Sequence, residues 1–467
     1  MPLRRLAMIA VLLCSSAGAN ARAALPPSLT GALNAAGIPL SAVSILVQEV
    51  GKKSVVLSLN ADKARNPASV MKLVTTYAAL DTLGPAYTWT TQSYAGSPVV
   101  NGVLDGNLYL KGSGDPKLTQ EQFWLLLRQI RARGVREIKG DLVLDHSAFA
   151  PIAQDTAFDD KPQRPYNVTP DALLLNFKAL RLTIVPHAGQ RVALLSEPSL
   201  SEVDVTNLIE TASGDCGEWK EGLRVDELAR NGRYRLVLTG RYPASCGEQT
   251  WNLGVLTHRD YVAAVFRDLW RELGGTLTGT VRDGVVPADA QTIAAIESPA
   301  LADIVRDVNK YSNNVMARQL FLSLAADSPA TGSGAARAVN TWLVGKGLDF
   351  PELVLENGAG LSRRERISAQ SIARLLQSIA ASPLMPELVA SLPLAAVDGT
   401  MKKRLREDGV AGHAHIKTGT LEGVKTMAGL VQDAQGREMI IVFLVNHASA
   451  QRTQAAMDEL LRWVYRH

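Results

Sequence analysis

Two short polar clusters whose chemistry requires proximity lie 243 positions apart. One is Ser69-Val70-Met71-Lys72; the other is Ser312-Asn313-Asn314. A third, Lys417-Thr418-Gly419, follows near the end of the 467-residue chain. If the three act together, the fold must close a site across a very long excursion. Whatever lies between the first two is then an insertion into the domain that carries the site, and the chain holds more than one domain.

The local chemistry supports joint action. Ser69 to Leu83 is apolar at helical spacing and stops at Gly84-Pro85, which places Ser69 at a helix N-terminus. Residues i and i+3 share a helix face, so Lys72 can reach the Ser69 hydroxyl. A serine hydroxyl needs a base to become a nucleophile, and a desolvated lysine beside another cation can serve. The helix N-terminus also favours developing negative charge. Lys417-Thr418-Gly419 sits in an alternating, strand-like stretch. There a lysine and a hydroxyl can bind a carboxylate, and a glycine lets another backbone pass close by. Taken singly, each cluster also fits a solvated helix start, a surface loop or an edge strand. Ser58-Leu59-Asn60 matches the S-x-N pattern too, but precedes Ser69. The ordered set S-x-x-K, S-x-N, K-T-G is the more specific signal.

That set resembles the penicillin-binding proteins. The long first interval resembles their class C low-molecular-mass group, the D-alanyl-D-alanine carboxypeptidase/endopeptidases of peptidase family S13. Four further stretches are similar: Leu108 to Pro116, Gly140 to Asp145, Asn357 to Arg363, and Leu392-Pro393 through Thr400. The resemblance implies an α+β multidomain chain. Its transpeptidase-like domain would be a five-stranded antiparallel sheet flanked by helices, formed by 24–92 and 288–467. Two smaller, mostly β domains would be inserted, one from 93–172 and 252–287, the other from 173–251. It implies roles as well. Ser69 attacks the carbonyl between two D-alanines and Lys72 takes its proton. Ser312 relays a proton to the leaving group with help from Lys417. Asn314 bonds the substrate backbone, and Thr418 binds the terminal carboxylate beside Gly419. The N–H groups of Ser69 and Thr420 form an oxyanion hole. Asp145, Phe149 and Arg363 fall where a diaminopimelate side chain would be bound, and Glu422 departs from the expected glutamine or apolar residue. The implied partners are peptidoglycan peptides, with β-lactams as covalent inhibitors. Neither metal nor cofactor is implied.

The remaining features bound the cellular setting. Arg4 and Arg5, the apolar run Leu6 to Leu13 and the Ala19-Asn20-Ala21 and Ala21-Arg22-Ala23 sites read as a signal peptide over 1–23, so we expect a periplasmic protein. Leu13 before Cys14 argues against lipidation. In an oxidising compartment the two other cysteines, Cys216 and Cys246, should pair. A net charge of +4 without a Lys/Arg block argues against nucleic acid. No apolar run is long enough for a membrane span, which leaves a loose association with a membrane surface open. His413 and His415 alternate on a strand, yet a zinc site needs three or four ligands and no third is near. In Arg363-Arg364-Glu365-Arg366 we expect a solvated helix start. A β-lactamase and a non-catalytic peptidoglycan-binding protein are the two rival functions. The first would need a fast deacylating water; the second need keep no nucleophile.

Along the chain, strands are expected within Ala42 to Leu59, turning at Gly51-Lys52-Lys53, at Asn107 to Lys111, and at Gly140 to Asp145. Others are expected at Gly412 to Lys417, Val424 to Gln432 and Glu438 to Asn446. Helices are expected at Thr119 to Arg133, Arg259 to Leu273, Leu301 to Ala326, Ala335 to Gly345 and Ala450 to Tyr465. The stretch from Leu173 to Val255 should be strand-rich.

Overall fold

The computed structural model describes residues 25–152, 158–187, 189–230 and 233–467. The expected signal segment, 1–23, lies outside the described residues. The centre of the molecule is a five-stranded, fully antiparallel sheet. Its order is Val55–Leu59, Val43–Glu49, Glu438–Asn446, Val424–Gln432, Ala414–Leu421. The first two strands come from one end of the chain and the other three from the other end; Val43 pairs with Val445.

Strand Glu438–Asn446 shows why this is the core. It is apolar at nearly every position and buried on both faces. Ile440, Val442 and Leu444 join one buried cluster, with helices Lys72–Leu83, Leu301–Lys310, Asn314–Leu322 and Ala369–Ala380. Ile441, Phe443 and Val445 point the other way, as the period of two requires. They pack with Leu29 and Leu33 of helix Pro27–Ala35 and with Met457, Leu460 and Leu461 of the last helix, Gln454–Arg466. That amphipathic last helix therefore spends its apolar face on the sheet.

The excursion leaves and returns at one point. Strand Thr90–Ala95 pairs with Gln291–Glu297. Just outside that pair, Ser298 N–H donates to Trp89 O (2.9 Å) and Trp89 N–H donates to Ser298 Oγ (3.0 Å). The insertion thus runs from Thr90 to Glu297, wider than the 93–287 expected. It contains a five-stranded mixed sheet in the order Val281–Asp283, Leu142–Asp145, Leu108–Gly112, Thr90–Ala95, Gln291–Glu297. Helices Gln120–Ala132 and His258–Glu272 pack beside it; Thr119 caps the first, its side chain accepting from Gln122 N–H. Two three-stranded sheets follow, spanning Leu180 to Leu253. Both inserted parts share one contiguous buried cluster. The Cys216–Cys246 disulfide, expected from the sequence, closes a loop within it.

The stretch read as helical from Leu301 to Ala326 forms two helices. Helix Leu301–Lys310 ends at Tyr311, Ser312 adopts φ 55°, and Asn313 caps Asn314–Leu322 through its side chain and Met316 N–H (3.1 Å). The break puts the Ser312 hydroxyl in the cleft rather than on a helix flank.

Candidate active site

Ser69 lies in a single 3-10 turn, Ala68–Met71, that feeds helix Lys72–Leu83. The entry to the turn is fastened on several sides. Asn66 Oδ1 accepts from Ala68 N–H (2.9 Å), Asn66 Nδ2 donates to Ser362 O (2.7 Å), and Thr426 Oγ1 donates to Pro67 O (2.7 Å). Two glycines press on the same backbone. A Cβ on Gly360 would lie 1.8 Å from Ala68 O, and one on Gly419 would lie 2.9 Å from Ser69 N. No other residue fits at either place without moving the nucleophile's turn.

Lys72 is completely buried. Its Nζ sits 3.0 Å from Ser69 Oγ, 2.5 Å from Asn314 Oδ1 and 2.6 Å from Ala359 O. The last two partners can only accept. A neutral amine therefore gives its two N–H bonds to Asn314 and Ala359 and aims its lone pair at the Ser69 hydroxyl. Burial, and next the Lys417 ammonium, push the Lys72 amine well below the ordinary lysine value, against the opposing pull of Glu365. The geometry and the electrostatics both favour a base.

Lys417 is also completely buried, and burial pushes it down to about 7. Its Nζ donates to Ser312 Oγ and to Thr418 O, both at 2.9 Å. The Thr418 hydroxyl shares a 2.7 Å hydrogen bond with that of Thr400. Ser69, Ser312, Asn314, Thr400, Thr418 and Thr420 line one cleft of about 930 Å³. Three clusters scattered over the sequence thus meet in one place.

The expected side-chain pocket is only partly there. Arg363 lines the cleft, its guanidinium 5.0 Å from the Phe158 ring centroid and 3.1 Å from Glu422 Oε2. Asp145 does not line it. It is fully buried on the inserted sheet, its two oxygens accepting from Ser147 N–H (2.9 Å) and Val286 N–H (2.9 Å). Phe149 does not line it either; it packs with Ala172, Leu322 and Ala330. Phe158, Asp159 and Asp160 stand beside Arg363 instead. A loop carries them, and a loop leaves no periodic trace in the sequence.

Glu365 is a second correction. The sequence places it in a solvated helix start, but the carboxyl is completely buried. Its Oε1 accepts from the N–H groups of Glu356, Asn357 and Gly358 at 2.9–3.0 Å. Three flanking arginines disguised it as surface. The signal that could have exposed it is the run Asn357-Gly358-Ala359-Gly360, a turn whose N–H groups need an acceptor.

The model of the D-Ala-D-Ala carboxypeptidase 3 (S13) family matches residues 28–466. The chain belongs to that family. A D-alanyl-D-alanine carboxypeptidase of Actinomadura sp. is 30% identical over 84% of this chain and 76% of its own length. The Haemophilus influenzae carboxypeptidase DacB is 26% identical over 87% of this chain and 85% of its own length. The crystal structure of penicillin binding protein 4 (dacB) from Haemophilus influenzae superposes with a TM-score of 0.79 at 24% identity. It covers 94% of this chain and 99% of that one. The S13 enzyme is therefore a serine-type D-Ala-D-Ala carboxypeptidase with the penicillin-binding fold.

Proposed function

We propose that this S13 carboxypeptidase works through a covalent acyl-enzyme on Ser69, on the stem peptides of peptidoglycan in the periplasm. The contact that carries the reading is Lys72 Nζ, held on Ser69 Oγ by two obligatory acceptors. Lys72 takes the Ser69 proton as Oγ attacks the carbonyl between the two D-alanines. The oxyanion forms between the N–H groups of Ser69 and Thr420, at the start of a helix. A proton passes to the leaving amine through Ser312, which Lys417 orients. Thr418 receives the terminal carboxylate, and Asn314, whose Oδ1 is taken by Lys72, offers its Nδ2 to the substrate backbone. Water then releases the shortened peptide. A β-lactam presents the same acyl centre and acylates Ser69. Export by the basic, apolar, small-residue leader fits the oxidised Cys216–Cys246 pair.

The open flank of the cleft supports cutting cross-links as well as terminal residues. Arg363 can bind a carboxylate there, and Asp159 or Asp160 an ammonium, as the amino–carboxyl end of diaminopimelate requires. The deciding experiment is mass spectrometry of the mature protein after benzylpenicillin, beside Ser69→Ala. An adduct on Ser69, absent from the variant, is expected. An unmodified wild-type protein beside intact penicillin would overturn the reading. So would hydrolysed penicillin without a lasting adduct, which marks a β-lactamase.

A further inference from the structure

Glu365 has no place in the steps just described, yet it lies under them. The three N–H groups it accepts belong to the loop that presents Ala359 O to Lys72, and two residues past Gly358 the same loop presses Gly360 against Ala68 and Ser69. Asn357 Oδ1 also accepts from Ala359 N–H (3.0 Å), and Thr75 Oγ1 donates to Gly358 O (2.6 Å). The loop is thus held to the nucleophile's helix on one side and to Glu365 on the other. Glu365 Oε2 is buried with no hydrogen-bond partner among the described residues. A carboxylate buried with one oxygen bare is costly unless a charge nearby compensates.

The charged groups that face Lys72 are few. Lys417 reaches it from the edge strand and Glu365 from the loop, while Ser69 and Asn314 are neutral partners. From the other side, burial pushes the Glu365 carboxyl above its ordinary value, while the loop N–H groups and then the Lys72 charge pull it back toward the ionised form. The neighbouring arginines turn away: Arg364 pairs with Glu356, and Arg366 donates to the Arg363 and Glu365 carbonyls. Proton transfer from Ser69 creates an ammonium at Lys72, whose side chain is completely buried. A fixed negative charge beside it lowers the cost of that state.

We propose that Glu365 is the positioning residue of this site: Oε1 fixes the Glu356–Gly360 loop, and through Ala359 O fixes Lys72, while Oε2 supplies the buried counter-charge for the Lys72 ammonium. The inference rests on Ser69 and Lys72 acting as nucleophile and base. Two variants separate the two oxygens' roles. Glu365→Gln keeps an acceptor for the loop and removes the charge. Glu365→Asp keeps the charge one methylene short of the loop.

The readout is kcat/KM for D-Ala release from a D-Ala-D-Ala peptide, followed from about pH 5 to 10, with penicillin adduct formation measured alongside. The base must be neutral, so the acid limb reports Lys72. The Glu365 charge raises that limb, so Glu365→Gln moves it down by roughly one pH unit and lowers the plateau by roughly tenfold or more. Glu365→Asp leaves the limb in place and lowers the plateau. A Gln variant with the wild-type limb and plateau overturns the counter-charge, even if its melting temperature falls. Should the Gln variant fail to fold, an Asp variant with the wild-type plateau overturns the positioning. A wild-type protein that forms no Ser69 adduct would instead sink the underlying acyl-enzyme reading, a result distinct from either.

Discussion

At the scale of single residues, the site is built on two completely buried lysines, both pushed below the ordinary lysine value by burial. Removing Lys72 as Lys72→Met should cost roughly 10²–10⁴ in acylation rate, the usual worth of a general base; a stopped-flow penicillin assay measures it. Lys417 makes the opposite prediction for stability. Its folded value, about 7, lies below its ordinary 10.5. Between those values the unfolded chain binds the extra proton, so this group's contribution rises with pH across the window and is least favourable below about 7. Lys417→Met should therefore raise the melting temperature more at pH 6 than at pH 10 while impairing turnover. An equal change at both pH values would contradict it. Glu422 offers a third test. It is exposed and paired with Arg363, so it competes with a substrate carboxylate. Glu422→Gln should lower KM for peptides carrying a free side-chain carboxylate and leave amidated ones unchanged. A parallel change in both would exclude that competition.

At the scale of elements, the motifs were legible because their chemistry is local. Ser69 and Lys72 are one helical turn apart, and Lys417, Thr418 and Gly419 ride one strand. Thr119 announced its helix by capping it. What stayed hidden depends on tertiary packing. Ser312 could be helix or loop because Leu301 to Lys310 and Asn314 to Leu322 each carry helical periodicity; the positive φ between them has no composition of its own. Glu365 was lost among arginines, and Phe158 in a loop. Asp145 was expected as a ligand on the family resemblance alone; its two oxygens accept from backbone N–H groups of Ser147 and Val286. The edge strand Ala414–Leu421 gives the element-level prediction. Gly419→Ala puts a methyl 2.2 Å from Thr426 Oγ1 and 2.9 Å from Ser69 N. The strand must back away from the nucleophile's turn, and a displacement of that order costs roughly 10²-fold in kcat/KM. A variant with wild-type kcat/KM would show that the turn moves instead without harm.

At the scale of the whole molecule, the catalytic sheet and the insertion have separate main cores but share two small buried clusters, Phe149 and Ala172 with Leu322 and Ala330, and Val168 and Leu174 with Val315. Gln319, on the helix that begins with Asn314, accepts from Asp171 N–H and donates to Asp171 O (both 2.8 Å), and Lys117 pairs with Asp307 at 2.6 Å. The disulfide lies wholly in the insertion. Losing it as Cys216→Ser with Cys246→Ser should destabilise that part by about 3–4 kcal/mol, seen as protease nicking between residues 173 and 251, while penicillin acylation survives. Loss of acylation together with the disulfide would show that the two cores are coupled. The pairing of Val43 with Val445 has a consequence in time. A ribosome adding about 5–20 residues per second needs roughly 20–80 s to pass from one to the other. Until the last strands emerge, the first two have no central partner and Lys72 no Lys417 beside it. A truncated or half-made chain is therefore a silent one, and a potentially destructive hydrolase comes alive only when its synthesis is all but finished.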